Sequence, residues 1–125
     1  MSTVDNKGIN IHYETEGKGP PLVLMHGMGG SIDNWYRTGY VEALENDYRL
    51  ILIDSRGFGA SGKPHEVAAY SREAKVSDVT AVLDDLLDDL EPKLPVRVLT
   101  AAKEQRQLHL MPLGQKALRM LHLGL

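Results

Sequence analysis

The sequence predicts an α/β fold, and three observations predict it. Leu22-Val23-Leu24-Met25 and Leu50-Ile51-Leu52-Ile53 are apolar at every position, as strands covered on both faces of a parallel or mixed sheet must be. Each run leads directly into a glycine-rich loop. Each loop is followed by a segment whose apolar residues recur at helical spacing. Strand–loop–helix, twice in succession, is the order of parallel strands with helices laid on the faces of their sheet.

The elements follow in order. Gly8 to Glu16 alternates apolar and polar, the period of a half-buried strand, and Gly17-Lys-Gly-Pro-Pro21 is a turn. After the Leu22–Met25 strand and its glycine turn, Ser31 or Asp33 caps a helix expected to run to about Asn46. Tyr36, Tyr40, Val41 and Leu44 give that helix its apolar face, although Gly39 inside it costs roughly 1 kcal/mol relative to alanine. Arg49 to Asp54 is the second buried strand and ends in a carboxylate; Ser55 to Pro64 is the second glycine loop. Ser71 opens a long helix with Glu66 and Glu73 near its positive end. Val76, Val79, Leu83, Leu86, Leu87 and Leu90 form its buried stripe, and Pro92 and Pro95 end it. Val96 to Thr100 reads as a short third core strand. Beyond it the sequence supports at most one short helix, near Gln115 to Leu123.

Composition bounds the function. The chain has 125 residues, enough for one domain, with 42% hydrophobic and 25% charged residues, which excludes wholesale disorder. It has no cysteine, so disulfides, thiolate metal sites and a cysteine nucleophile are excluded. No apolar run approaches a membrane span, and residues 1–20 lack the apolar stretch of a secretory leader. No membrane partner is therefore expected, and the expected compartment is cytoplasmic. Charge is divided unevenly: residues 1–90 carry 8 Lys/Arg against 15 Asp/Glu, whereas residues 91–125 carry 6 against 2. The basic, leucine-rich tail also lacks serine, aspartate and aromatic residues, so a change of segment is expected at Glu91. Its Lys116 and Arg119 are too sparse to indicate nucleic-acid binding.

Two loops carry candidate chemistry. In His26-Gly27-Met28-Gly29-Gly30 the glycines let backbone amides face a ligand without Cβ obstruction, and the Met28 amide is the natural donor to a developing oxyanion. An ordinary strand-to-helix loop is the plainer alternative. Asp54-Ser55-Arg56-Gly57-Phe58-Gly59-Ala60-Ser61 leaves the second strand. Gly57 to Lys63 also fits G-x-x-x-x-G-K formally, which opens a nucleotide-binding alternative. Pro64 stands where a Mg²⁺-binding hydroxyl belongs, however, and no helix starts at once. The aspartates 78, 84, 85, 88 and 89 read as a solvated helix face rather than a cation site. Trp35, Tyr36 and Tyr40 read as core or pocket wall. No metal and no cofactor are expected.

The two loops, in this order and a helix-length apart, resemble the α/β-hydrolase superfamily. Its N-terminal half carries His-Gly-x-x-Gly after the third strand and Asp-x-Arg-Gly-x-Gly-x-Ser after the fourth. The resemblance covers residues 8–90 and implies a partial α/β-hydrolase-type, mostly parallel sheet flanked by helices, followed by an atypical tail. It implies an oxyanion-hole backbone at Met28 and Gly27, with Gly29 and Gly30 shaping the turn. His26 becomes a loop-fixing hydrogen-bonder, and Asp54, Arg56, Gly57 and Gly59 structure the second loop, with Arg56 paired to Asp54 or a local carboxylate. The implied substrate is a small ester, lactone or similar acyl compound.

One departure qualifies this. The family's nucleophile sits on a strained G-x-S-x-G elbow, but after Val96-Arg97-Val98-Leu99 the chain reads Thr100-Ala101-Ala102-Lys103-Glu104. His109 and His122 lie in the basic tail and make poor counterparts of the catalytic histidine. The expectation is a truncated or frame-altered, catalytically incomplete form. The alternative is a non-catalytic interaction module whose Leu22–Met25 strand has an edge open to pairing, covered by the leucine-rich tail in cis or between protomers, with self-association through an exposed sheet edge as one outcome.

Overall fold

The computed structural model describes residues 2–27, 29–86, 95–102 and 105–112, the last stretch by its backbone pairing. Six strands form one sheet: β1 (Ser2–Asn6), β2 (Ile9–Gly17), β3 (Pro21–Met25), β4 (Arg49–Ile53), β5 (Pro95–Ala102) and β6 (Gln105–Pro112). Their spatial order is β1-β2-β4-β3-β5-β6. The apolar strands β3 and β4 lie parallel at the centre, and β5 runs parallel to β3 on its other side. The outer pairings β1–β2, β2–β4 and β5–β6 are antiparallel, so the sheet is mixed, with its parallel part in the middle.

Strand alternation sends side chains to two cores. One face carries Ile11, Tyr13, Val23, Met25, Ile51, Ile53, Val96 and Val98 against α3 (Arg72–Asp85). The other carries Leu22, Leu24, Leu50 and Leu52 against Ile32, Trp35 and Val41. The stripe predicted for the long helix is buried at Val76, Val79, Leu83 and Leu86, and Val82 joins it. Leu87, Leu90 and Pro92 lie outside the described residues. Ser71 caps α3, its side chain accepting from the Ala74 N–H at 3.1 Å.

Four expectations are corrected. The helix expected from Ser31 or Asp33 to Asn46 is two short ones, α1 (Asp33–Arg37) and α2 (Tyr40–Leu44). Gly39 separates them at φ +84°, a left-handed conformation that breaks the helical path. Neither Ser31 nor Asp33 caps α1 through its side chain; Asn34 Oδ1 instead accepts from the Ser31 N–H at 3.0 Å. An unexpected strand, β1, pairs with β2 through a two-residue turn whose Lys7 (φ 52°) and Gly8 (φ 91°) both have positive φ, the twist that suits a tight hairpin. Finally, residues 105–112 form β6, where no strand was expected. The candidate helix near Gln115 lies outside the described residues.

The sheet crosses the compositional break at Glu91. β3 is paired on both sides, by β4 and by β5, so the edge of the Leu22–Met25 strand is covered in cis, by a strand from beyond the break.

Candidate functional site

β3 and β4 are parallel neighbours in register, Met25 opposite Ile53, so His26 and Asp54 leave the same end of the sheet side by side. The two glycine loops are therefore adjacent. His26 ties them together: its Nε2 accepts the Ser55 backbone N–H at 3.0 Å. That bond assigns the remaining hydrogen to Nδ1, which donates to the Gly27 carbonyl at 2.7 Å. With both ring nitrogens engaged, His26 positions backbone and is not free to act as a base. Its ring lies edge-on to Phe58.

The first loop is a tight turn. The Gly30 N–H donates to the Gly27 carbonyl at 3.0 Å, and Gly29 sits at φ +81°, where a side chain would be strained. Met28, the candidate oxyanion donor, lies outside the described residues.

Asp54 is the hub of the second loop. Its Oδ1 accepts from the Ile32 N–H at 2.8 Å, and its Oδ2 accepts from the Ala60 N–H at 3.0 Å and from His12 Nδ1 at 2.8 Å. Burial pushes the carboxyl upward, but the hydrogen bonds from His12, Ala60 and Ile32, together with the His12 charge when that ring is protonated, outweigh it and hold Asp54 below the ordinary aspartate value. Ser61 closes the loop onto β2, donating to the Asp54 carbonyl at 2.7 Å and accepting from the His12 N–H at 2.8 Å. Gly59 (φ +55°) is required here, because a Cβ would come within 2.3 Å of the Asp54 carboxylate.

The partner of Arg56 is Asp78, not Asp54. Nε and Nη2 each donate to one carboxylate oxygen at 2.7 Å, and Nη1 donates to the Ala69 carbonyl at 2.7 Å. The fork raises the Arg56 pKa, first through the Asp78 hydrogen bonds and despite burial. Asp78 is 2% exposed, which corrects its placement on a solvated helix face. The spacing of α3 put it on the polar side, but the guanidinium brings a buried partner to it. Trp35 is buried as core, whereas Tyr36 is 37% exposed.

The phosphate-cradle alternative fails on its own amides. The N–H groups of Gly57, Phe58, Ser61 and Gly62 bond to carbonyls of Gly62, Ser55, Phe58 and Asn10, and that of Ala60 bonds to the Asp54 carboxylate. Lys63 Nζ donates to the Gly59 and Ser61 carbonyls at 2.7 and 3.1 Å, and α3 begins only at Arg72. The loop binds itself and leaves those amides nothing to offer an anion.

At the end of β5 the resemblance places a nucleophile elbow and a helix. The structure continues the strand to Ala102 and returns it antiparallel as β6, pairing Ala102 with Gln105. No serine, cysteine or aspartate occurs between Pro95 and Pro112.

Sequence reading missed His12 and Glu14 of β2. Both line a cavity of about 340 Å³ with Asp33, Tyr36 and Asp54. The Tyr36 hydroxyl lies 3.2 Å from Glu14 and 3.1 Å from Glu16, and burial together with these carboxylates raises its pKa. The signal was the alternation His12-Tyr-Glu14-Thr-Glu16, which puts all three polar side chains on one sheet face.

A family model described as alpha/beta hydrolase fold matches residues 20–115. Epoxide hydrolase 1 of Siraitia grosvenorii is 34% identical over 86 residues, covering 68% of this chain and 27% of the relative. Epoxide hydrolase 3 of Xenopus tropicalis is 35% identical over 88 residues, covering 68% and 22%. Among solved structures, an N-acyl homoserine lactone degrading enzyme superposes with a TM-score of 0.61 at 35% identity, over 69% of this chain and 32% of that one. An epoxide hydrolase from Vigna radiata superposes with a TM-score of 0.64 at 27% identity, over 81% and 30%. The chain thus spans less than a third of the length of these relatives.

Proposed function

The chain belongs to the alpha/beta hydrolase fold family, and on that footing we propose that it carries the oxyanion-binding half of a hydrolase site without a nucleophile of its own. Attack on an ester or lactone carbonyl drives an electron pair onto oxygen, as does opening of an epoxide ring. Fixed N–H donors at that oxygen lower the barrier because they need no reorganisation as charge appears. The amides bracketed by Gly27 and Gly29, at the carboxyl end of β3, have the right origin for this role. Open α/β sheets place their ligands outside that end of their strands.

The observation that carries the reading is the β5–β6 hairpin, which stands where an elbow and helix would present the attacking side chain. Ester, lactone or similar acyl compounds are the proposed substrate class, supported by the solved lactone-degrading relative. Covalent catalysis needs a nucleophile and a base within hydrogen-bond reach of each other. Here His26 has both nitrogens occupied by backbone.

Two measurements test the two halves separately. Hydrolysis of p-nitrophenyl acetate by the chain is expected to match the buffer rate. Saturable turnover abolished by a substitution within the chain would overturn the missing nucleophile. A methylphosphonate monoester, which imitates a tetrahedral oxyanion, is expected to shift the amide resonances of residues 27–29. Shifts absent there would overturn the oxyanion role.

A further inference from the structure

The hydrogen-bonding capacity of His12 is half used. Its side chain is 5% exposed. Asp54 is held as a carboxylate and can only accept, so the His12 Nδ1 at 2.8 Å carries the hydrogen of that bond. In the neutral imidazole, Nε2 then presents its lone pair to the cavity beside α1, buried and with no hydrogen-bond partner. The nearest polar atom recorded for it is Glu14 Oε2 at 3.5 Å, also an acceptor when ionised. Two acceptors face each other with no hydrogen of the neutral imidazole between them.

From this geometry we propose that His12 Nε2 and Glu14 Oε2 form a binding site for a divalent transition-metal ion, Zn²⁺ by ligand chemistry. Imidazole nitrogen and carboxylate oxygen are a zinc donor set. Two such donors at bonding distance and a tetrahedral angle stand roughly 3.4 Å apart, close to the 3.5 Å separation observed. Asp54 supplies the outer partner: a carboxylate accepting from the second ring nitrogen fixes the tautomer and ring orientation of a metal-ligating histidine.

The surroundings favour a cation. Tyr36 has a single hydroxyl hydrogen yet touches both Glu14 Oε1 and Glu16 Oε2, so the group is short of positive charge. Asp33 is committed to Arg37 at 2.6 Å and is not counted as a ligand. Among the described residues no three histidine, cysteine or acidic side chains converge on one point. The remaining positions on the metal therefore belong to water, and the ion is exchangeable rather than structural.

The test is calorimetric titration of the chelator-stripped full chain with Zn²⁺, paired with NMR of the histidine ring nitrogens. The expected result is one equivalent bound, with the His12 Nε2 resonance displaced. E14Q changes a partly exposed side chain and keeps its shape; it is expected to bind at least about tenfold more weakly, the scale on which metal sites respond to a lost partner. No binding would overturn the proposal. So would an affinity unchanged in E14Q, or displacement confined to His26, His65, His109 or His122. The NMR arm needs no variant, so a poorly folded mutant would not shelter the proposal.

Discussion

Asp54 does at the level of one residue what the glycine motifs do for whole loops: its two oxygens collect donors from α1's entrance, the second loop and β2. A carboxylate held below its ordinary value in the folded chain stabilises the fold at all pH above that value. The contribution drains away as pH falls toward the folded value. Urea midpoints measured in EDTA are therefore expected to fall below about pH 4, and to fall less steeply in D54N, which has no such proton to take up. Arg56 and Asp78 make a second residue-scale case. D78A leaves a guanidinium buried and unpaired, a loss of about 3–5 kcal/mol in denaturant unfolding. R56M/D78L removes both charges and is expected to recover most of it. The sequence showed that Arg56 wants a carboxylate, but not which one. Asp78 lies 22 residues away on α3, and helical spacing alone assigned it to solvent. His12 was illegible for a similar reason, since its partner Asp54 becomes its neighbour only when β2 pairs with β4.

Among the elements, those read from the sequence are those whose residues are buried by their own periodicity. β3, β4 and α3 are of this kind, and Ser71 marks the start of α3; S71A is expected to cost about 1 kcal/mol in thermal or urea unfolding. The elements that went unread depend on pairing or on single backbone angles. β1 is mostly exposed, and β6 is recognisable only by its partner β5. Gly39 looked like a tolerated interruption, yet its left-handed φ splits one helix into two. Two glycines of this conformation should respond differently to alanine. At Gly39 nothing lies within 4 Å of a new Cβ, so G39A is expected to cost only the roughly 1–2 kcal/mol of left-handed strain. At Gly59 the Cβ would meet the Asp54 carboxylate at 2.3 Å. G59A adds to the same strain the loss of one or more Asp54 hydrogen bonds, about 1–3 kcal/mol each. Chemical unfolding of the two variants side by side measures the difference, and equal losses would show that Asp54 is not held by that loop.

For the molecule as a whole, the question is whether the change of composition at Glu91 is also a change of structure. Charge and residue usage divide the chain there, but hydrogen bonding does not. β5 lies beyond the break and fills the free side of β3, pairing Leu22 to Met25 with Arg97 to Thr100. Val96 and Val98 are fully buried against the same core as α3 and the strands before it. Burying each valine is worth roughly 1.5–3 kcal/mol, against a total stability of about 5–15 kcal/mol for a typical domain. Losing both, and with them the ladder along β3, removes a large share of what holds the sheet together. It also uncovers a wholly apolar strand edge, a template for pairing with other chains. A chain ending at residue 90 is therefore expected to lose cooperative unfolding by circular dichroism and to scatter light as a polydisperse aggregate. The 125-residue chain should show a single transition. If residues 1–90 instead gave a monodisperse species with an unchanged midpoint, β5 would be an appendage to the sheet and not part of its core. The β5–β6 hairpin would then lose its structural reason for being there.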